Sequence, residues 1–168
     1  MYEESTITTN RKRQNTMHPL NLPAFEVKTR QNDCGQTEIY DRLRRRYVAL
    51  TPEEWVRQHF TNYLIVHLHY PPGLLANEVS LNVNGARRRC DSVLYDRNGG
   101  RPRLIVEYKA PDVRITQHVF NQISSYNSVL RADYLIVTNG LEHYILHLDY
   151  ARQTAHYLPA VPDFADLV

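Results

Sequence analysis

The sequence predicts an α/β domain: a mixed β-sheet flanked by helices, in the order helix, three strands, helix, strand. Three observations carry that expectation. "TPEEWVRQHFTNYLIVHLHYPPG" combines a helix start, helical spacing of apolar residues and a Pro-Pro-Gly stop. "EVSLNVNGARRRCDSVLYDRNGGRPRLIVEYKAP" reads as strands separated by two turns. The stretch from Lys109 to Tyr134 is long enough for a right-handed crossover into a parallel strand, "YLIVT".

Taken in order, residues 1–17 are polar and aperiodic. They are read as a flexible leader to a single domain over 18–168, with Met17 a second candidate start. "FEVKT" and "RYVAL" predict short strands around a loop near Asn32–Gly35. In the first helix Thr51 is the N-cap, Pro52 takes the first position and Glu54 completes a capping box. Trp55, Val56, Phe60, Tyr63, Leu64 and His67 follow at helical spacing. Strands are expected over 78–83, 86–96 and 102–109, with Asn84-Gly85 as a two-residue hairpin and "DRNGGRP" as a longer turn. A second helix over 114–131 precedes "YLIVT". The Asn139-Gly140 turn leads into "LEHYILHLDY", and "TAHYLPAVPDF" supplies an edge strand and tail.

Composition narrows the function classes. A chain of 168 residues, 42% hydrophobic, suits one modest globular core. No apolar run approaches the ~20 residues of a membrane span, so no membrane partner is expected. The N-terminus has no apolar signal region and Cys34 and Cys90 form no disulfide framework or zinc spacing, which makes the cytoplasm the expected location. No phosphate-loop motif is present, which argues against an ATP motor. The net charge of +2 is uninformative, but the basic residues are 17 arginines and only 3 lysines, and arginine's planar fork suits phosphate. One of those lysines, Lys109, sits in the apolar strand "IVEYKAP".

Side chains alternate across a strand, so Glu107 and Lys109 share a face. Centring the second hairpin on Gly99 puts Asp91 opposite Glu107, and centring the first on Asn84-Gly85 puts Glu78 opposite Asp91. Opposed Cβ atoms are about 4.5–5.5 Å apart, so three carboxylates form a row with Lys109 one diagonal step from Asp91. Arg87 and Arg89 continue that polar face, with Ser80 and Asn82, and the two arginines are expected to contact nucleic acid, while Val79, Leu81, Leu94, Leu104, Val106 and Tyr108 are expected on the core face. Such a row repels itself unless protonated or bridged by a cation. All-oxygen ligands favour Mg²⁺ or Mn²⁺, and a lysine beside that ion suits metal-assisted phosphodiester hydrolysis. Removal of Lys109 is then expected to stop chemistry, spare metal binding and slightly stabilise the apolar strand. In the second helix, Ile115, Val119, Ile123, Tyr126 and Leu130 form the sheet-facing stripe, and Gln122 within it points with Tyr126 toward the metal or substrate. The bland reading of each feature is a solvated ion pair for Glu107 and Lys109 and a backbone-bonded Gln122. His59, His67 and His69, placed on the first helix, match no zinc signature and are read as packing or surface residues.

Asp91, then Glu107-Tyr108-Lys109, then Gln122-Ile123-Ser124-Ser125-Tyr126 resembles the PD-(D/E)xK nuclease superfamily with its QxxxY extension. More narrowly, "TPEEWVRQ", "RRRCDSVLYD", "IVEYKAP", "QISSY" and "VTNG" stand in the order shown by the N-terminal nuclease domain of type I restriction enzyme R subunits, over about residues 50–148. The resemblance implies a restriction-endonuclease-like αβββαβ core and Mg²⁺-dependent cleavage of DNA. It implies that Asp91 and Glu107 hold the metal, with the Tyr108 carbonyl a further ligand, and that Lys109 positions the attacking water. It points to an acidic residue of the first helix as an assistant, for which Glu54 matches best; Glu78 rests on the register argument. Cys90 stands where the first motif has proline. An R subunit carries a translocating ATPase after this domain, so a stand-alone version implies a protein partner supplying motor or specificity. The alternative reading is a non-catalytic nucleic-acid-binding or accessory module that keeps the nuclease fold.

Overall fold

The computed structural model describes residues 17–167; the leader expected over 1–17 lies, except for Met17, outside them. The described chain forms β1 (Thr29–Gln31), β2 (Thr37–Asp41), β3 (Arg46–Ala49), α1 (Pro52–Val66), β4 (Leu75–Val83), β5 (Ala86–Tyr95), β6 (Pro102–Tyr108), α2 (Gln117–Leu130), β7 (Tyr134–Thr138), β8 (His143–Asp149) and β9 (Thr154–Leu158). β4 to β9 lie side by side in chain order as one sheet, and β1 to β3 form a separate antiparallel sheet. In the larger sheet β6 and β7 run parallel across the α2 crossover, and every other neighbour pair is antiparallel. The expected αβββαβ core is therefore present, with β8 and the edge strand β9 beyond it.

Sequence and physics agree on the two helices. Thr51 accepts the Glu54 backbone N–H at 3.0 Å, and the apolar stripe Val56, Phe60 and Leu64 packs with Leu94, Leu104, Val106, Tyr108 and Ile136. Val119, Ile123 and Tyr126 of α2 pack with Leu81, Val83, Cys90, Val93, Ile105 and Val137 in a second cluster. Full burial of each large apolar side chain contributes about 1.5–3 kcal/mol. With both clusters drawing on it, β6 is covered on both faces, which is why Leu104-Ile105-Val106 reads as a continuous apolar run.

Three expectations are corrected. "FEVKT" pairs only from Thr29 onward, and its partner is the unexpected β2. The two buried residues of β2 are Ile39 and Asp41, so a charge hides its apolar alternation. His67 caps the end of α1, and His69 lies past it with a left-handed backbone and meets Asp163 at 2.7 Å, so neither is helical. Finally, Val79 and Leu81 join the α2 cluster while Leu94, Leu104, Val106 and Tyr108 join the α1 cluster. β4 turns over at Glu78, whose φ of 57° lies in the left-handed region, and β5 turns over beside it, because Cys90 and Leu94, four residues apart, fall in opposite clusters. The register is unchanged across it, Asn77 facing Ser92 and Val79 facing Cys90, so the chain turns over without inserting a residue.

Candidate active site

The pairing of Ser92 with Val106 and of Val79 with Cys90 brings Glu78, Asp91 and Glu107 to neighbouring positions on β4, β5 and β6, as the hairpin turns require. The Lys109 ammonium donates to Glu107 Oε1 at 2.7 Å and to Gln122 Oε1 at 3.3 Å. Gln122 Nε2 donates to the same Glu107 oxygen and to the Tyr126 hydroxyl at 2.9 Å. The Tyr108 backbone N–H donates to Asp91 Oδ2 at 2.9 Å. Glu107, Lys109, Gln122 and Tyr126 thus form one hydrogen-bonded group, with Asp91 beside it on the Tyr108 backbone N–H, and Gln122 is bonded to side chains rather than to backbone. Arg87 and Arg89 are exposed on β5, near the hairpin tip.

The group is short of positive charge at one atom. Glu107 is 3% exposed, and its Oε2 is buried with no hydrogen-bond partner. Burial first, and Asp91 second, push the Glu107 carboxyl up to about 7 despite Lys109. Burial also raises Asp91, reinforced by Glu78 and opposed by Arg57, the Tyr108 N–H and Lys109. For Lys109, burial alone would lower the amine, but Glu107 and Asp91 outweigh it and hold the charged form. A buried carboxylate pair with a free oxygen is what a hard cation would neutralise.

Two arginines complete the surroundings. Arg57, 3% exposed on α1, reaches Asp91 Oδ1 at 3.0 Å, Glu54 at 2.6 Å and Glu78 at 3.4 Å. Arg44, from the β2–β3 turn, pairs with Asp41, with Glu54 at 2.8 Å and with Glu78 at 3.2 Å. Glu54 also accepts from Gln58, so its carboxylate is spent on an ion-pair network rather than returned to the cap. Glu78 is held by Arg44, Arg57 and Arg89. The α1 carboxylate that feels the site is instead Glu53, raised by burial and by Asp91 and drawn down by Arg57 and Lys109. Arg57 stands three and four residues after Glu54 and Glu53, a helical pairing signal visible in the sequence, but its reach to Asp91 is a tertiary fact. Among the described residues no three His, Cys, Asp or Glu side chains gather as a ready-made metal cage.

A buried polar chain ties the small sheet to this centre. The Tyr108 hydroxyl donates to Ser92 at 3.1 Å, Ser92 donates to Asn77 at 2.6 Å, and Asn77 donates to Asp41 at 3.1 Å. Asp41 is fully buried; burial works against its charge, but the backbone N–H and guanidinium of Arg44 hold it below the usual carboxylate range.

Comparisons with known proteins converge on one family. The family description "Type I restriction enzyme R protein N terminus" matches residues 52–162. A solved fragment assigned to the HsdR subunit of a type I restriction enzyme from Vibrio vulnificus superposes with a TM-score of 0.51 at 20% identity, which speaks for the fold. The match covers 70% of this chain but only 24% of that one, so this chain spans about a quarter of its length. No curated protein matches the sequence. No described helix is long and apolar enough to cross a membrane. With more than half of its residues matched, the chain belongs to the family of type I restriction enzyme R protein N-terminal regions.

Proposed function

We propose that this domain is a nuclease module of the PD-(D/E)xK kind that hydrolyses DNA phosphodiester bonds with Mg²⁺ or Mn²⁺. The observation that carries the reading is Glu107: buried, beside Asp91, paired with Lys109, and left with one unpartnered oxygen. That orphaned acceptor fits a hard divalent cation, which Asp91, Glu107 and the Tyr108 carbonyl would hold. When bound, the cation supplies a Lewis acid for the phosphate and a more acidic water. The Tyr108 N–H fixes the Asp91 carboxylate. Gln122, itself bonded to Tyr126, fixes Glu107. Lys109 keeps its proton, orients the attacking water and offsets charge that builds on the phosphate. Glu53 takes the assisting place first given to Glu54. DNA translocation and sequence choice lie outside the residues of this domain, and the module works in the cytoplasm.

One observation favours the alternative, a nucleic-acid-binding or accessory module without catalysis. Both Asp91 oxygens are satisfied internally, one by Arg57 and one by the Tyr108 N–H. Supercoiled plasmid, single-stranded DNA and RNA, each incubated with Mg²⁺ or Mn²⁺ and then with EDTA, separate the two. Cation-dependent nicking by the wild type and none by Lys109→Ala supports the nuclease. Equal inactivity of both on every substrate, with binding retained, hands the assignment to the binding module.

A further inference from the structure

The arginines divide into two populations. Along most of the described chain they are paired: Arg30 with Glu38, Arg101 and Arg103 with Asp133, and Arg152 with Asp149. Arg97 and Arg131 lie over aromatic rings. The arginines with neither a carboxylate nor a ring, among the described residues, are Arg42, Arg45, Arg46, Arg87, Arg88 and Arg114. Five of these six fall on two segments, the β2–β3 turn with the first residue of β3 and the first half of β5, and all five are exposed.

Those two elements meet at one atom. Arg44 from the turn and Arg89 from β5 share Glu78 Oε2, at 3.2 and 3.3 Å. The turn is also anchored from below, because Asp41 accepts the backbone N–H groups of Leu43 and Arg44 at 2.8 and 2.9 Å. One arginine of each element is thus consumed in fixing the two together. The remaining ones are left uncompensated in the two segments that meet at Glu78. Nothing in the fold needs their charge, and a cluster of like charges held by a rigid anchor repels itself without an anion to neutralise it.

From this we infer that the β2–β3 turn is a phosphate-binding arm for nucleic acid. Arg42, Arg45 and Arg46 contact the sugar–phosphate backbone from one bank, and Arg87, on the strand face it shares with Arg89, from the other, so that the strand passes over Glu78 toward Glu107. Guanidinium forks suit phosphate oxygens bidentately. The surface reads backbone and not bases, so it is indifferent to sequence. This inference rests on the proposed nuclease reading for its partner, and it adds the small sheet to the binding face.

The test is binding of the full chain to a fluorescein-labelled duplex in EDTA, across about 50 to 200 mM NaCl, where backbone contacts govern the salt slope. Arg42→Gln/Arg45→Gln/Arg46→Gln is compared with wild type and with Arg152→Gln at the far side of the sheet. The triple variant is expected to bind at least about tenfold more weakly at the lowest salt, with a log–log slope shallower by about 2–3, since each lost phosphate contact removes about 0.9. Arg42→Gln alone, at an exposed unpaired position, should show about a third of the slope change and guards against misfolding of the triple variant. Arg152→Gln should match wild type. Unchanged affinity and slope in a folded triple variant would overturn the arm while leaving the nuclease reading intact. If wild type binds neither duplex, single strand nor RNA, the arm falls together with that reading. Variant-sensitive binding of polyglutamate without any nucleic-acid binding would overturn it in favour of an acidic protein partner.

Discussion

Glu107→Gln isolates the charge at the centre of the site. Burial and Asp91 lift the wild-type carboxyl to about 7, against an ordinary value near 4.5. Without metal, the folded protein keeps this proton through a window in which the unfolded chain has lost it. A raised carboxyl pKa contributes stability that is complete below about pH 4.5 and drains away as pH climbs to about 7. At 1.36 kcal/mol per unit, the loss is on the order of 3 kcal/mol. The stabilising Lys109 pair is already contained in that net shift. Glutamine keeps the shape and has no proton to release. In EDTA, the difference in urea-unfolding free energy between variant and wild type should therefore move by about 3 kcal/mol toward the variant between about pH 4.5 and pH 8. Mg²⁺ at the higher pH should stabilise wild type and leave the variant unchanged, since only wild type offers the second carboxylate. A difference that stays flat with pH would refute the electrostatic account of the site.

Lys109→Ala should lose cleavage and also lose stability above about pH 7, by about 1–3 kcal/mol in chemical denaturation, because Glu107 without its ammonium partner must either be a buried unpaired charge or hold a proton that the unfolded chain gives up. The 2.7 Å ion pair reverses the sign expected from the sequence, where removing a charge from an apolar strand looked favourable. Arg57→Ala takes from Asp91 the guanidinium it pairs with and from Glu54 and Glu78 one of theirs, and should cost about 3–5 kcal/mol in the same measurement. Gly140→Ala should lower the melting temperature by several degrees, a cost of about 1–3 kcal/mol. The backbone there has a φ of 83°, and a Cβ would lie 2.7 Å from Leu20 Cδ2.

The legible parts of the site were those set by short-range rules. Asn84-Gly85 fixed the β4–β5 pairing through the twist of a two-residue turn, and the β5–β6 register followed until its shift at Leu94 and Tyr95. Thr51 and Pro52 announced α1, and the interruption of an apolar stripe by Gln122 announced its bond to Glu107. What stayed hidden depends on long-range pairing. Arg57 and Arg44 look like surface cations until the fold brings them to Asp91 and Glu78. Glu53 and Glu54 are adjacent in the chain, so only the orientation of α1 decides which one the network consumes. Nothing in "ANEVSL" marks Glu78 as left-handed, since a glutamate rarely adopts that conformation.

That left-handed residue works as a key cut into the strand. An ordinary β-strand can slide by two residues and still present the same faces, which makes such slips inexpensive. Here one half of β4 serves the helix on one side and the other half serves the opposite helix, with the changeover at a single position. A slide of two residues would carry the changeover away from Asp91, turning Val79 out of its cluster or forcing Asn77 into it. The spacing between Glu78 and Asp91 is therefore guarded by two cores at once, and a mutation that loosens either one would shift the alignment of the acidic row before it unfolds the domain.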